Sequence, residues 1–319
     1  MSLENPFSKK TILPPEETNP ESNIKLIKAF LGTDSAEAYR KTLAEETTKP
    51  QQKPDFHLDN FDEKAFEQHN QVEQEEAETL FGENFLGPKE FQEAFGFTPE
   101  DVPPIPFSRE DLKDAQEKGL TLCLNWDMLP DGTKLSGKKM TELLGSKQQN
   151  GDLLIGIHFN SNDPTYTEET PRRGWALVSN TVEYKNQNYL EQTDSLRKEC
   201  SDTEVYRQAI KEYETQKPHI EKLWQNYHKN WKEISRILNT LTITALTRDS
   251  FSERFQYMVL INQKIGTRIH ESEYYWTSSR SSGGDFVNIG HFDRGGAVVG
   301  RDDPEDPSSN VGVCFSRRY

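Results

Sequence analysis

Cysteine is scarce in this chain of 319 residues: Cys123, Cys200 and Cys314 stand far apart with no C-x-x-C spacing, which excludes a disulfide framework and a zinc ribbon. Apolar residues are also few, at 33% with a mean hydropathy of -0.87, so the composition predicts a thin core with part of the chain extended. No run of 18 apolar residues occurs, and Met1 to Lys10 lacks the apolar stretch of a secretion signal; a soluble, cytoplasmic protein is expected, with export by another route left open. Basic charge is in deficit, with 38 Lys and Arg against 53 Asp and Glu for a net charge of -15, which disfavours nucleic acid bound through a basic footprint.

The deficit is uneven. Residues 1–105 hold 22 acidic and 10 basic residues, net -12, and the remaining residues carry only -3. This first segment reads as an acidic, mostly extended or partly helical region: Asn23 to Leu31, Ser35 to Ala44 and the acidic Asp62 to Phe81 have helical spacing, and Thr47 to Asp59 has almost nothing to bury. A solvated tail and a tether that docks on a partner or on the protein's own body are both open readings.

A folded α+β domain is expected over 106–319. Ser108 with Glu110 and Asp111 forms a helix start and Gly119 a stop. Leu120 to Leu124, Leu153 to Phe159 and Gly174 to Val178 read as buried strands, and Ser136 to Leu144 as a short helix. A helical segment comes next over about 187–239, with a capping box at Ser201 and Glu204 and Pro218 as a first-turn residue. Trp224, Tyr227, Trp231, Ile234 and Leu238 recur as one apolar stripe, read as core on a single long helix, and Asp249 to Ile265 forms another helix closed by Gly266. Tyr274 to Ser279, Asp285 to Phe292, Gly296 to Arg301 and Val311 to Arg318 are then four strands of a meander. Helices followed by antiparallel strands favour α+β over a doubly wound sheet.

Motifs for chemistry are missing: there is no H-E-x-x-H, no Walker A, no G-x-G-x-x-G and no G-x-S-x-G, so the sequence calls for no metal, no cofactor and no catalytic residue. Ser282-Gly-Gly-Asp285 and Asp293-Arg-Gly-Gly296 precede strands, and so read as hairpin turns and not as phosphate loops. Asp302, Asp303, Glu305 and Asp306 could offer oxygen ligands to calcium, but two prolines break the ligand rhythm of an EF-hand and a solvated acidic loop is the better reading.

Tyr275-Trp-Thr-Ser-Ser279, Val287-Asn-Ile-Gly290, Gly295-Gly-Ala-Val-Val299 and the closing Asn310-Val-Gly-Val-Cys-Phe-Ser-Arg-Arg318 resemble the C-type-lectin-like fold in its formylglycine-generating-enzyme (sulfatase-modifying) form, which the variable proteins of diversity-generating retroelements also use. Those enzymes carry a C-x-x-x-x-C pair before the closing strand to hold copper. The corresponding His291 to Arg301 has no cysteine, so the resemblance implies a fold without the oxidase chemistry. Cys314 is expected to be a buried structural residue.

The resemblance to retroelement variable proteins implies a non-enzymatic binding protein, bacterial in kind, whose variable-type tail 274–319 displays a diversifiable surface to an unknown protein or surface ligand. Its expected ligand-facing set is Tyr275, Arg280, Asp285, Asn288, His291, Asp293, Arg294, Arg301, Asp302, Asp303, Asp306, Ser308, Ser309 and Asn310, a mixture with the composition of a paratope. Trp276 is expected inside the core and the stretch 302–310 as a loop projecting into water between two strands. Strand alternation puts Val287, Ile289 and His291 on one face and Phe286, Asn288, Gly290 and Phe292 on the other, without saying which is buried. Two further functions stay open: a relative of the formylglycine-generating enzymes, and an adaptor whose acidic segment recruits a partner.

Overall fold

A computed structural model describes residues 72–145, 155–157, 160–200 and 203–318. The chain divides between Phe61 and Asp62, and the described residues all belong to the second unit. The expected helices over 23–31 and 35–44, the Thr47 to Asp59 stretch and Ser201 lie outside the described residues.

The folded body begins well before residue 106. Helix α1 (Gln74–Phe81), strand β1 (Phe85–Leu86) and helix α2 (Pro88–Phe95) bury Ala77, Phe81, Phe85, Leu86, Phe91 and Phe95 in the main core. The physical reason is aromatic density: Phe91, Phe95 and Phe97 pack ring to ring at 5.8 to 6.4 Å, enough apolar surface to hold an otherwise acidic stretch against the domain. Pro88 in the first turn and Gly96 in the left-handed conformation after the last one start and stop α2.

Helix α3 (Arg109–Glu117) starts at the expected cap, Ser108 accepting from the Asp111 amide, and β2 (Thr121–Asn125) follows. Helix α4 (Gly137–Leu144) is capped by Ser136; β3 (Ile155–Ile157), α5 (Pro164–Thr167) and β4 (Gly174–Val178) come next. The helical segment is not one rod. It consists of α6 (Tyr189–Glu199), α7 (Glu204–Trp224), α8 (Tyr227–Thr240) and α9 (Thr242–Thr247). The stripe of aromatics therefore spans two helices: Asn226, at φ -127° and ψ 49°, breaks the chain between Trp224 and Tyr227, and the Asn230 side chain caps the freed Leu223 carbonyl at 2.9 Å. Two local expectations also shift. Helix α7 begins at an N-cap Thr203 with no side-chain cap bond, and Pro218 lies in its interior on an exposed position. Helix α10 (Phe251–Ile265) ends at Gly266, as expected, and starts two residues after the expected Asp249, at a full capping box of Ser250 and Glu253.

The last segment forms β5 (Tyr274–Arg280), β6 (Phe286–Asp293), β7 (Gly296–Asp302), β8 (Val311–Gly312) and β9 (Ser316–Arg317). Two small sheets result, with orders β1-β2-β4-β9 and β3-β7-β6-β5-β8, so the protein is a mixed helix and sheet fold. The meander holds only through β7. The expected closing strand splits, β8 pairing parallel to β5 and β9 pairing antiparallel to β4, so the C-terminal residues tie the two sheets together.

The second sheet lies between two cores. Tyr275, Val287, Ile289 and Val299 face the main core around α10, whereas Trp276 and Phe286 face the second core built by α6 to α9. Both faces of β6 are thus buried. The simple alternation fails at one point: His291 takes a positive φ of 45° and the β6–β7 register shifts between Gly290 and Asp293. That bulge turns Phe292 into the main core, on the side of Val287 and Ile289 and not of Phe286.

Candidate functional site

The hydroxyls of the Trp276-Thr-Ser-Ser279 strand serve the scaffold. Thr277 Oγ1 donates to the Val287 carbonyl at 2.7 Å, and Ser279 Oγ accepts from the Phe251 amide at 2.8 Å while donating to Glu169 at 2.9 Å. The Ser278 amide donates to the Asp249 carbonyl at 2.8 Å. The strand is pinned to the start of α10, which holds the next loop in place.

Just after β5 the chain makes that tight loop, Ser281 to Asp285, closed by the Gly284 amide on the Ser281 carbonyl and the Ser281 amide on the Asp285 carbonyl, both at 2.9 Å. Asp163, the N-cap of α5, accepts from the Ser282 amide at 3.0 Å and its hydroxyl at 2.7 Å. Burial alone would raise the Asp163 carboxyl, but the bonds from Ser282 and Thr165 outweigh it and hold the group below its usual range. From the other side, Ser235 of α8 donates to the Gly284 carbonyl, and Arg280 Nε donates to Ser235 Oγ at 2.9 Å and to the Gly284 carbonyl at 3.2 Å. Gly284, at φ 104°, has Trp231 of α8 against it.

At the same end of the sheet lies the end of β7. Arg301 approaches Asp285 at 3.7 Å with about half its side chain exposed, and Asn288 Nδ2 donates to Asp302. Burial, Asp306 and Asp285 raise the Asp302 carboxyl against the lowering effect of Asn288; burial, Asp306 and Glu305 raise Asp303 likewise. This rim brings together Arg280, Asp285, Arg301, Asp302, Asp303 and Asp306 of the expected set.

The other expected residues go elsewhere. His291, Asp293 and Arg294 lie at the opposite end of the β6–β7 hairpin, where His291 stacks on Tyr274 at 5.8 Å and approaches Asp293 at 3.6 Å. Tyr275 is 1% exposed and Asn288 2%, so neither is a ligand-facing residue: Tyr275 fills the main core and Asn288 is spent on Asp302. Trp276 is buried as expected, between Tyr189 and Phe286.

Residues 303–310 do not project freely. Strands β7 and β8 run parallel with β6 and β5 between them, so the stretch must cross two strands, and its backbone is fastened on the way. The Pro304 carbonyl accepts from the Tyr189 amide at 3.0 Å, the Ser308 carbonyl from Asn186 at 2.8 Å and the Asn310 carbonyl from Tyr274 at 2.8 Å. It is a strap with Ser309, Asn310 and Asp306 exposed, Ser308 partly so, and Pro304 buried. Among the described residues no group of three or more His, Cys, Asp or Glu is arranged to hold a metal ion.

Cys314 is buried, as expected, with its Sγ 3.8 Å from His270 Nε2. Burial pushes the thiol up to about 12, and burial with nearby Arg254 pushes the imidazole down to about 3, so the pair stays neutral and makes no thiolate. A separate surface concavity is lined by Phe97, Pro99, Trp126, Leu129 and Arg173, whose guanidinium lies 4.1 Å from the Trp126 ring.

Three contributors to the rim escape the sequence reading: Trp231, Ser235 and Asp163. A trace of the first two is legible. Ser235 comes one turn after Trp231, a polar residue on the shoulder of an apolar stripe, whereas nothing near Asp163 signals a loop more than a hundred positions away.

No helix among the described residues is long and apolar enough to cross a membrane. No family model matches the chain, and neither a curated protein nor a solved structure matches it.

Proposed function

We propose that this chain is a non-enzymatic binding protein of the C-type-lectin-like kind, displaying a recognition surface at its C-terminal rim to a protein or surface ligand, in the manner of retroelement variable proteins. One observation carries the reading: within a single short tail, the side chains that build the two cores and those that face water are cleanly divided. Tyr275, Trp276, Phe286, Val287, Ile289 and Val299 are buried, while Arg301, Asp302, Asp306 and Ser309 stand exposed on or beside the same strands. Exposed positions away from caps and packing shift stability by only about 0.5 kcal/mol each, so such a rim tolerates change.

The test is a pair of libraries. Randomising Arg301, Asp302, Asp306 and Ser309 should leave most clones protease-resistant, and randomising Tyr275, Trp276, Phe286 and Ile289 should leave few. If both libraries unfold equally often, the rim is part of the scaffold and the reading fails. Diversification has its own test at the DNA level: a neighbouring reverse transcriptase and a near-copy of the codons for 274–318 differing at adenines.

A further inference from the structure

The loop between β5 and β6 is held by its main chain. Thr165 Oγ1 of α5 donates to the Arg280 carbonyl at 2.7 Å, Asp163 accepts from the Ser282 amide at 3.0 Å, and Ser235 of α8 donates to the Gly284 carbonyl. All three anchoring side chains are buried, and none belongs to the tail. Within the loop the Ser281 amide donates to the Asp285 carbonyl and the Gly284 amide to the Ser281 carbonyl. The Ser282 hydroxyl also reaches Asp163, at 2.7 Å, but onto the same oxygen, Oδ2, that its own amide already holds.

A backbone N–H or C=O is the same group in every residue except proline, which lacks the N–H, so these anchors do not read the loop's side chains. Ser282 is exposed. Gly283 has no left-handed φ, and a Cβ there would meet Arg301 Nη1 at 3.2 Å and Asp285 Oδ2 at 3.3 Å, the far ends of side chains that can move. Gly284 is the opposite case: it is buried at φ 104°, a conformation open to glycine and rare for other residues, and a Cβ there would meet the Trp231 ring at 3.4 Å. The contacts of Gly283 also put the loop beside Arg301, so it continues the rim.

We propose that Ser282 and Gly283 are specificity-determining positions of the recognition surface, and that Asp163, Thr165 and Ser235 are positioning residues that hold their main chain in one shape whatever side chains stand there. A loop fixed in advance loses less conformational freedom when a partner binds, so its side chains can be exchanged without the binding surface losing its order. The inference rests on the binding reading above and adds to its surface two positions that the sequence did not single out, together with the residues outside the tail that set their geometry.

Hydrogen exchange on the full chain tests the positioning. Asp163→Ala and Ser235→Ala should each speed exchange of the Ser281, Ser282 and Gly284 amides about tenfold or more while the amides of α10 keep their protection, and Ser282→Ala and Gly283→Ala should leave all of them within about threefold of the parent. The idea is overturned if Ser282→Ala loosens the loop as much as Asp163→Ala, if neither anchor variant changes it, or if both anchor variants loosen α10 equally. Binding is read by randomising Ser282 and Gly283 with Arg301 and Asp306 in the displayed full chain and selecting against streptavidin as the probe. Returning Ser282 and Gly283 in a recovered binder to the parental residues should weaken its binding about tenfold. Unchanged binding after that reversion, or no binder from a library that folds, removes the two positions from the specificity surface. The rim library described above is independent: a tolerant rim beside an intolerant Ser282 and Gly283 rejects this inference alone, and an intolerant rim rejects the display reading itself.

Discussion

Arg318 places its Nη2 2.7 Å from Oδ1 of Asp249, joining the end of the closing segment to the residue just before the cap of α10, and both side chains are buried. Asp249 also holds Arg254 at 2.6 Å, and Glu253 holds Arg318 at 3.2 Å and Arg172 at 2.7 Å. Removing one member of such a buried set leaves an uncompensated charge in the interior. Asp249→Ala should therefore cost about 3 to 5 kcal/mol in urea denaturation, whereas an exposed pair such as Lys118 with Asp114 should give less than about 1 kcal/mol on the same test.

Acid should weaken the fold in two overlapping windows. Burial and Arg254 depress His270 to about 3, so below about pH 6.5 the unfolded chain takes up the proton first, and stability present at neutral pH is lost as pH falls toward 3 at up to about 1.4 kcal/mol per pH unit. Burial raises Glu253, but Arg172, Arg318 and the bonds from Arg172 and the Ser250 amide reverse that and hold it well below the carboxylate range. Its contribution is complete above about pH 4.3 and lost only as pH falls below that value. His270→Phe should flatten the stability profile between about pH 6.5 and 4.5 and leave an acid limb, which Glu253→Gln makes shallower. Equal slopes for wild type and His270→Phe in the upper window would show an imidazole that is not buried in the neutral form.

Trp276 is 2% exposed, with edge-on rings of Tyr189 at 5.9 Å and Phe286 at 6.4 Å, and its indole N–H has no hydrogen-bond partner among the described residues. Trp276→Ala should cost about 3 to 5 kcal/mol. Trp276→Phe should cost less than half of that, because it keeps an aromatic contact and removes an unpaired donor. A melt that orders the two variants the other way would place the indole N–H in a hydrogen bond.

Gly290 lies where β6 passes Glu273: a Cβ there would stand 2.0 Å from the Glu273 carbonyl oxygen, and backbone atoms cannot move aside as a flexible side chain can. Gly290→Ala should destabilise by about 3 kcal/mol or more, read by thermal or urea unfolding. A variant as stable as the parent would mean that the β5–β6 pairing is looser than described.

Within the strap, Asp303 accepts from the Glu305 amide at 3.0 Å, whereas the Asp306 and Ser309 side chains are exposed. Asp303→Ala should cost about 1 kcal/mol, and Asp306→Ala with Ser309→Ala together less than about that. Equal losses would mean that the exposed side chains also fasten the strap.

Local physics was legible before any tertiary structure. Ser108, Ser136 and Gly266 mark helix ends because a cap needs only its own hydroxyl or its own φ, and Gly174 to Val178 reads as a strand from its own apolar run. The same holds for the rim: charged, turn-forming residues from Arg280 to Asp306 announce an exposed surface by their composition. The early phenylalanines were also in plain view, but the acidic residues around them argued for an extended segment, and only the packing of Phe91 on Phe95 and Phe97 decided the matter.

The tertiary structure alone decided which groups meet. Alternation divides β6 into two faces, but a face is buried only if something distant covers it; here α10 covers one and α6 to α9 the other. A positive φ at His291 then moved Phe292 across, a single-residue event that a period of two cannot express. Likewise the split of the closing strand and the crossing of 303–310 depend on which strand edges were free to pair, and edge pairing is a long-range choice. The sequence alone determined a charged, exposed rim on a buried scaffold. Only the fold joined Trp231 and Ser235 to the loop at Gly284 and put Arg280 and Asp302 on one row of the sheet.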